Sequence, residues 1–160
     1  MMNLSQDTIS ILKNFSDINT NILVNSGQQL KTISTMKNIQ AVADISESFE
    51  QEFGIYDLPE FLRAVELFDK SNIAFNGGAN LTIKDTSTKQ SIKYFFADKS
   101  VIVSPSKTIN MPDKYVTFNL KKESFDRLMK GTTTLNLPDV ALKGDGKVLK
   151  MVATDKKTPS

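Results

Sequence analysis

A chain of 160 residues with 39% hydrophobic and 24% charged residues is long enough to bury a core without metal or disulfide support, and it contains no low-complexity tract. It has neither cysteine nor histidine, which excludes disulfides, thiolate and imidazole metal ligands, and catalysis by a Cys nucleophile or a His base. The net charge of +2 hides a gradient: 8 Lys/Arg stand against 11 Asp/Glu through Ala97 (net −3), and 12 against 7 from Asp98 onward (net +5), so the second half either attracts a polyanion or is unevenly composed by chance.

The N-terminal stretch MMNLSQDTISILKNF is broken by polar residues, and no run is apolar enough for a membrane span, so a soluble chain without a secretion signal is expected. Ser5 stands as an N-cap before Ile9, Leu12 and Phe15, whose spacing predicts a one-sided helix with Gln6, Ser10 and Lys13 on its polar side. Ile22-Leu23-Val24 followed by Asn25-Ser26-Gly27 predicts a strand and a tight hairpin turn. Strand-like runs follow at residues 40–45 and 49–56.

A second helix starts at Asp57, with Pro59 near its first turn and Glu60 at capping-box spacing; Phe61, Leu62, Val65 and Phe68 form its apolar stripe. Ile73-Ala74-Phe75, a turn at Asn76-Gly77-Gly78 and a return strand repeat the earlier pattern, and residues 92–97 predict one more strand. Alternation there buries Phe95 or its neighbours, against the other reading of Tyr94, Phe95 and Phe96 as a stacking platform for single-stranded nucleic acid.

Residues 98–114 hold Pro105 and Pro112, two polar clusters and no helical period, and read as a connector. A strand is expected over 115–120. A third helix follows with Phe125, Leu128 and Met129 on the packed face, Lys121 and Lys122 at its start, and Gly131 as its stop. Val140-Ala141-Leu142 and Gly144-Asp145-Gly146 predict the last hairpin. The carboxylates Asp44, Glu47, Glu50 and Glu52 show no spacing diagnostic of a metal site or an acid/base pair, and a solvated surface accounts for them better.

The chain thus repeats one pattern three times, a short helix followed by a strand, a glycine-containing turn and a return strand. An α+β arrangement is expected, with helices on one face of antiparallel sheets. Two units form a first domain over residues 1–97, residues 98–114 connect, and residues 115–160 begin a second domain with a single unit.

LSQDTISILKNFSDINTNILVNSGQ, FGIYDLPEFLRAVELF and SVIVSPSKTINMP are similar to stretches of the DNA polymerase sliding clamps of T-even-type bacteriophages. The resemblance spans nearly the whole chain, strongest before Pro112. It implies the DNA-clamp fold of paired βαβββ units, and a homotrimeric ring around double-stranded DNA that serves the replicative DNA polymerase as a processivity factor. It also implies a clamp-loader complex as partner, no cofactor, no enzymatic activity, no membrane, and a place in the cytoplasm of the infected bacterial host. Against this pattern the chain lacks a fourth unit.

A sliding ring needs weak, sequence-independent contacts from cations to phosphates. Lys13, Arg63, Lys121, Lys122, Arg127 and Lys130 are therefore the expected DNA-facing residues; the competing account is a solvated helix face, and Arg63 is flanked by Glu60 and Glu66, which can pair with it. Val101, Ile102, Val103, Ile109 and Met111 in the connector are the expected partner-docking residues, against an edge strand tucked into the core. A single-stranded nucleic-acid-binding module and a structural or interaction protein are the rival functions.

Overall fold

The computed structural model describes residues 2–107, 113 and 116–157. The chain divides into two compact units, one through Ile109 and one from Asn110.

In the first unit, Ser5 ends the extended lead-in and its hydroxyl accepts the Thr8 N–H at 3.2 Å, which starts helix α1 (Gln6–Ile18). The helix buries Thr8, Ile9, Leu12 and Phe15. Helix α2 (Leu58–Glu66) starts the same way, with the Asp57 carboxylate accepting the Glu60 N–H at 2.8 Å, and buries Leu58, Phe61, Leu62 and Val65; Phe68, just past its end, is buried too.

The expected hairpin at Asn25-Ser26-Gly27 does not form. Strand β1 (Ile22–Val24) pairs antiparallel with β4 (Phe53–Ile55), while β2 (Gly27–Ile33) pairs with β3 (Gln40–Phe49). Gly27, at φ +106, takes the bend that separates β1 from β2. The cause is burial: Ile22 and Val24 are as fully buried as Phe53 and Ile55, and pairing these two apolar strands places all four in one core. The second expected hairpin is present as β5 (Ser71–Phe75) and β6 (Asn80–Asp85), and β7 (Ser91–Phe95) extends it to a three-stranded meander.

The two halves close on each other by exchange. Met2, in the lead-in to α1, bridges Ile73 in the first strand after α2, with N–H to carbonyl distances of 2.8 and 2.7 Å. Reciprocally β4, the lead-in to α2, pairs with β1, the first strand after α1. This is a pseudo-dyad, and it sets α1 beside α2, where Lys13 and Glu66 meet at 2.5 Å. A core of aromatic rings joins the halves: Phe53 lies 5.5 Å from Phe49, 5.3 Å from Phe75 and 5.0 Å from Phe96, and Phe61 lies 5.1 Å from Tyr94.

In the second unit the strand expected over 115–120 is not seen: residues 116–120 belong to no strand among the described residues. Helix α3 (Lys122–Leu135) runs past Gly131, which keeps a negative φ and so does not act as the expected stop. It ends at Asn136, which takes the left-handed conformation at φ 51 and ψ 41, with the Leu137 N–H returning to the Thr132 carbonyl at 2.9 Å. Strands β8 (Asp139–Gly144) and β9 (Leu149–Thr154) form the last hairpin around Gly146 at φ +85. The sequence expects Phe125 and Met129 on a packed face, yet each is 40% exposed.

Candidate nucleic-acid interface

Charge on the three helices is unequally distributed. The polar faces of α1 and α2 carry the cations Lys13 and Arg63 together with Asp7, Asp17, Glu60 and Glu66. Lys13 is held by Glu66 rather than left free, and with Glu66 engaged there Arg63 forms no ion pair among the described residues. Acidic groups therefore outnumber basic ones on this face.

Helix α3 has the opposite balance. Lys121 precedes it without a side-chain cap bond, and Lys122, Arg127 and Lys130 lie on it against only Glu123 and Asp126. Lys122 pairs with Asp126 one turn on, while Lys121, Arg127 and Lys130 make no ion pair among the described residues. Arg127 borders the groove between α3 and the β8–β9 hairpin instead of lying on the outermost face. The structure thus brings Lys13 and Arg63 onto one helix pair and Lys121, Lys122, Arg127 and Lys130 onto another unit.

Of the connector residues, Val101 ends a short 3₁₀ turn (Lys99–Val101) and is exposed, whereas Ile102 is buried in the first unit against Gly54. A Cβ on Gly54 would lie 2.8 Å from the Ala97 carbonyl oxygen, so glycine is what lets the start of the connector approach β4. Val103 is tied by its backbone: its N–H donates to Asn21 Oδ1 at 3.0 Å and its carbonyl accepts from Asn19 Nδ2 at 3.3 Å. Neither an edge strand nor a fully open patch describes this segment. Ile109 and Met111 lie outside the described residues.

Two features escaped the sequence reading. Asn19 is buried at the end of α1, where its amide donates to the Ile33 and Val103 carbonyls and its oxygen accepts the Asn21 N–H. Glu47 crosses from β3 to the start of α1, accepting from the Ser5 N–H and from Thr8 Oγ1 at 2.5 Å. Desolvation raises its pKa, but the Thr8 and Ser5 hydrogen bonds outweigh it and hold the carboxyl at about 2. Glu47 therefore serves the helix start. Glu52 pairs with Lys99, and Asp44 accepts from Gln29 Nε2 at 2.9 Å. Like Glu52, Glu47 finds its partners far along the chain, and no sequence spacing announces them.

Tyr94 and Phe96 turn inward, and burial together with Glu60 and Asp57 pushes the Tyr94 phenol up to about 12. Phe95 stays outside with Lys93 5.0 Å from its ring. Among the described residues no cluster of acidic side chains is placed to hold a metal ion, and no helix is long and apolar enough to cross a membrane.

Residues 5–104 match the family described as DNA polymerase processivity factor. The sliding clamp of Vibrio phage KVP40 is 33% identical over 145 residues, which cover 89% of this chain and 65% of that protein. The sliding clamp of Escherichia phage RB69 is 35% identical over 150 residues, and that of Enterobacteria phage T4 is 32% identical over 150, each alignment covering 92% of this chain and 65% of the relative. The chain therefore spans slightly less than two thirds of the length of these relatives. With the match to the family extending over 100 of its 160 residues, the chain belongs to the DNA polymerase processivity factors.

Proposed function

We propose that this chain is part of a sliding clamp that encloses duplex DNA and tethers a phage replicative polymerase, carrying out no chemistry of its own. The observation that carries this reading is the exchange of lead-in strands between the halves of the first unit, which sets two one-sided helices side by side on one layer. That is the arrangement a ring built from repeated half-domains requires, with helices toward the hole and sheets outside.

In this reading the contact with DNA is electrostatic, and α3 contributes more to it than α1 or α2. Three cations on and beside α3 that have no ion pair among the described residues can each neutralise a phosphate, whereas Lys13 already has a carboxylate partner. Of the described apolar docking candidates in the connector, Val101, next to the buried Ile102, is the exposed one and the best placed to dock a client such as the polymerase. A homotrimer completed by a fourth unit, opening by an ATP-driven clamp loader and residence in the infected host's cytoplasm belong to the same proposal. The inward turn of Tyr94 and Phe96 takes both rings beside Phe95 in sequence off the outer face of β7, which favours this reading over a stacking platform for single strands.

The test is primer extension on a primed circular template with the cognate polymerase and loader. Addition of the protein, completed by its fourth unit, should lengthen products severalfold. Products no longer than those of polymerase alone would overturn the proposal.

A further inference from the structure

Asn76-Gly77 is the only Asn-Gly pair in the sequence; every other asparagine stands before Leu, Phe, Thr, Ile, Ser or Met. The backbone nitrogen that follows an asparagine can attack that residue's own carboxamide carbon, and a side chain on the following residue hinders the approach. Gly77 offers no such hindrance. It lies exposed in the turn between β5 and β6 at φ +69, with open space where a Cβ would stand. Its N–H makes no backbone hydrogen bond among the described residues, so its attack breaks no rung of the hairpin.

The carboxamide it would attack is held in place. Asn76 Nδ2 donates to Asn80 Oδ1 at 2.7 Å and to Thr82 Oγ1 at 2.9 Å, both across the turn on β6. On that strand Leu81 and Ile83 enter the core, while Asn80 and Thr82 stay partly exposed on the outer side. The two bonds fix the amide toward β6 and keep its nitrogen in a donor role, whereas departure as ammonia requires that nitrogen to take up a proton. The last hairpin gives the contrast. Asp145-Gly146 holds the same place there, but the Asp145 carboxylate accepts the Lys147 and Val148 N–H groups at 2.9 and 2.7 Å. Those bonds hold its carboxyl below the ordinary range, and an ionised carboxylate is a poor electrophile. Of the two hairpin tips, the reactive one is Asn76.

We propose that Asn76 is a site of spontaneous deamidation through a cyclic imide, and that Asn80 and Thr82 are the brake that sets its rate in the folded chain. The Gly77 nitrogen bonds to Asn76 Cγ and gives up its proton; the Cγ–Nδ2 bond breaks, and ammonia leaves carrying that proton. Water then opens the imide at either carbonyl, leaving an aspartyl or an isoaspartyl residue at position 76. The product puts an anion where Asn80 Oδ1 met a donor. In its isoaspartyl form it also lengthens the backbone of a turn whose Ala79 carbonyl accepts the Phe96 N–H at 2.9 Å.

Incubation of the protein for days at mildly alkaline pH, then peptide mapping with isoaspartyl detection, reads the rate at each asparagine. Position 76 should lead, and Asn25, exposed between β1 and β2, is the reference within the same molecule. Thr82→Val alone should raise the rate at position 76 severalfold. Combined with Asn80→Ala it should raise that rate roughly tenfold, as the loss of two hydrogen bonds allows, while Asn25 keeps its own. An unchanged ratio between the two positions, whether both rates rise or neither does, would overturn the brake. Faster deamidation of the native chain at any other asparagine would overturn the site.

Discussion

Replacing Glu47 by Gln tests whether a long-range carboxylate starts helix α1. In the native chain the carboxylate accepts from the Ser5 N–H, from Thr8 Oγ1 at 2.5 Å and from Ser46 Oγ at 3.0 Å, in the field of the helix N-terminus. Its pKa falls from 4.5 to about 2. A shift of that size corresponds at most to roughly 3 kcal/mol, and partial exposure of the group reduces it to about 1–2 kcal/mol. The sign follows from the direction of the shift: a depressed carboxyl contributes its full stability above pH 4.5 and loses it as pH falls toward 2. Gln keeps the shape but turns an amide N–H₂ toward donors, leaving part of the Ser5 and Thr8 demand unmet. Urea denaturation followed by circular dichroism should therefore show Glu47→Gln less stable by about 1–2 kcal/mol near neutrality. That gap should narrow steadily as the pH falls below 4.5. A gap that is absent at neutrality, or that is the same size in acid, would refute the reasoning.

Gly54→Ala should destabilise the first unit by about 1–3 kcal/mol, because the added methyl meets the Ala97 carbonyl oxygen at 2.8 Å and Ile102 Cγ1 at 3.2 Å; the urea midpoint measures it. Asn19→Ala removes donors to the Ile33 and Val103 carbonyls and should cost about 1–2 kcal/mol, with faster proteolysis next to Val103 as the local readout. Converting Lys121, Arg127 and Lys130 together to Gln should weaken non-specific duplex binding and reduce the slope of log K against log salt by about 2–3. Lys13→Gln should change that slope by less than one, since Glu66 already holds the ammonium.

The pseudo-dyad also explains why the helices of the first unit tolerate acidic residues on their polar faces. Their packing is decided by the buried stripe of Ile9, Leu12, Phe15, Phe61, Leu62 and Val65, so the outer positions are left to electrostatics. One consequence is the Lys13–Glu66 pair, which crosses the boundary between the two halves and, being exposed, contributes less than about 1 kcal/mol. The excess of cations resides instead on α3, in line with the positive second half of the chain.

From residues alone, the three helices, the starts of α1 and α2 at Ser5 and Asp57 and the buried faces of those two were legible, because caps and a 3.6-residue period are encoded within a few positions of one another. The hairpins β5–β6 and β8–β9 were legible for the same local reason, through the turns at Gly77 and Gly146. Tertiary structure alone decided which strand Ile22–Val24 would join. A local turn favoured β2, but burying Ile22 and Val24 against Phe53 and Ile55 required a partner some thirty residues away. It decided likewise that Glu47 caps a distant helix, that Ile102 enters the core while Val101 stays outside, and that Phe125 and Met129 remain uncovered. Burial depends on what the rest of the chain brings to a surface, and that is a property of no single segment.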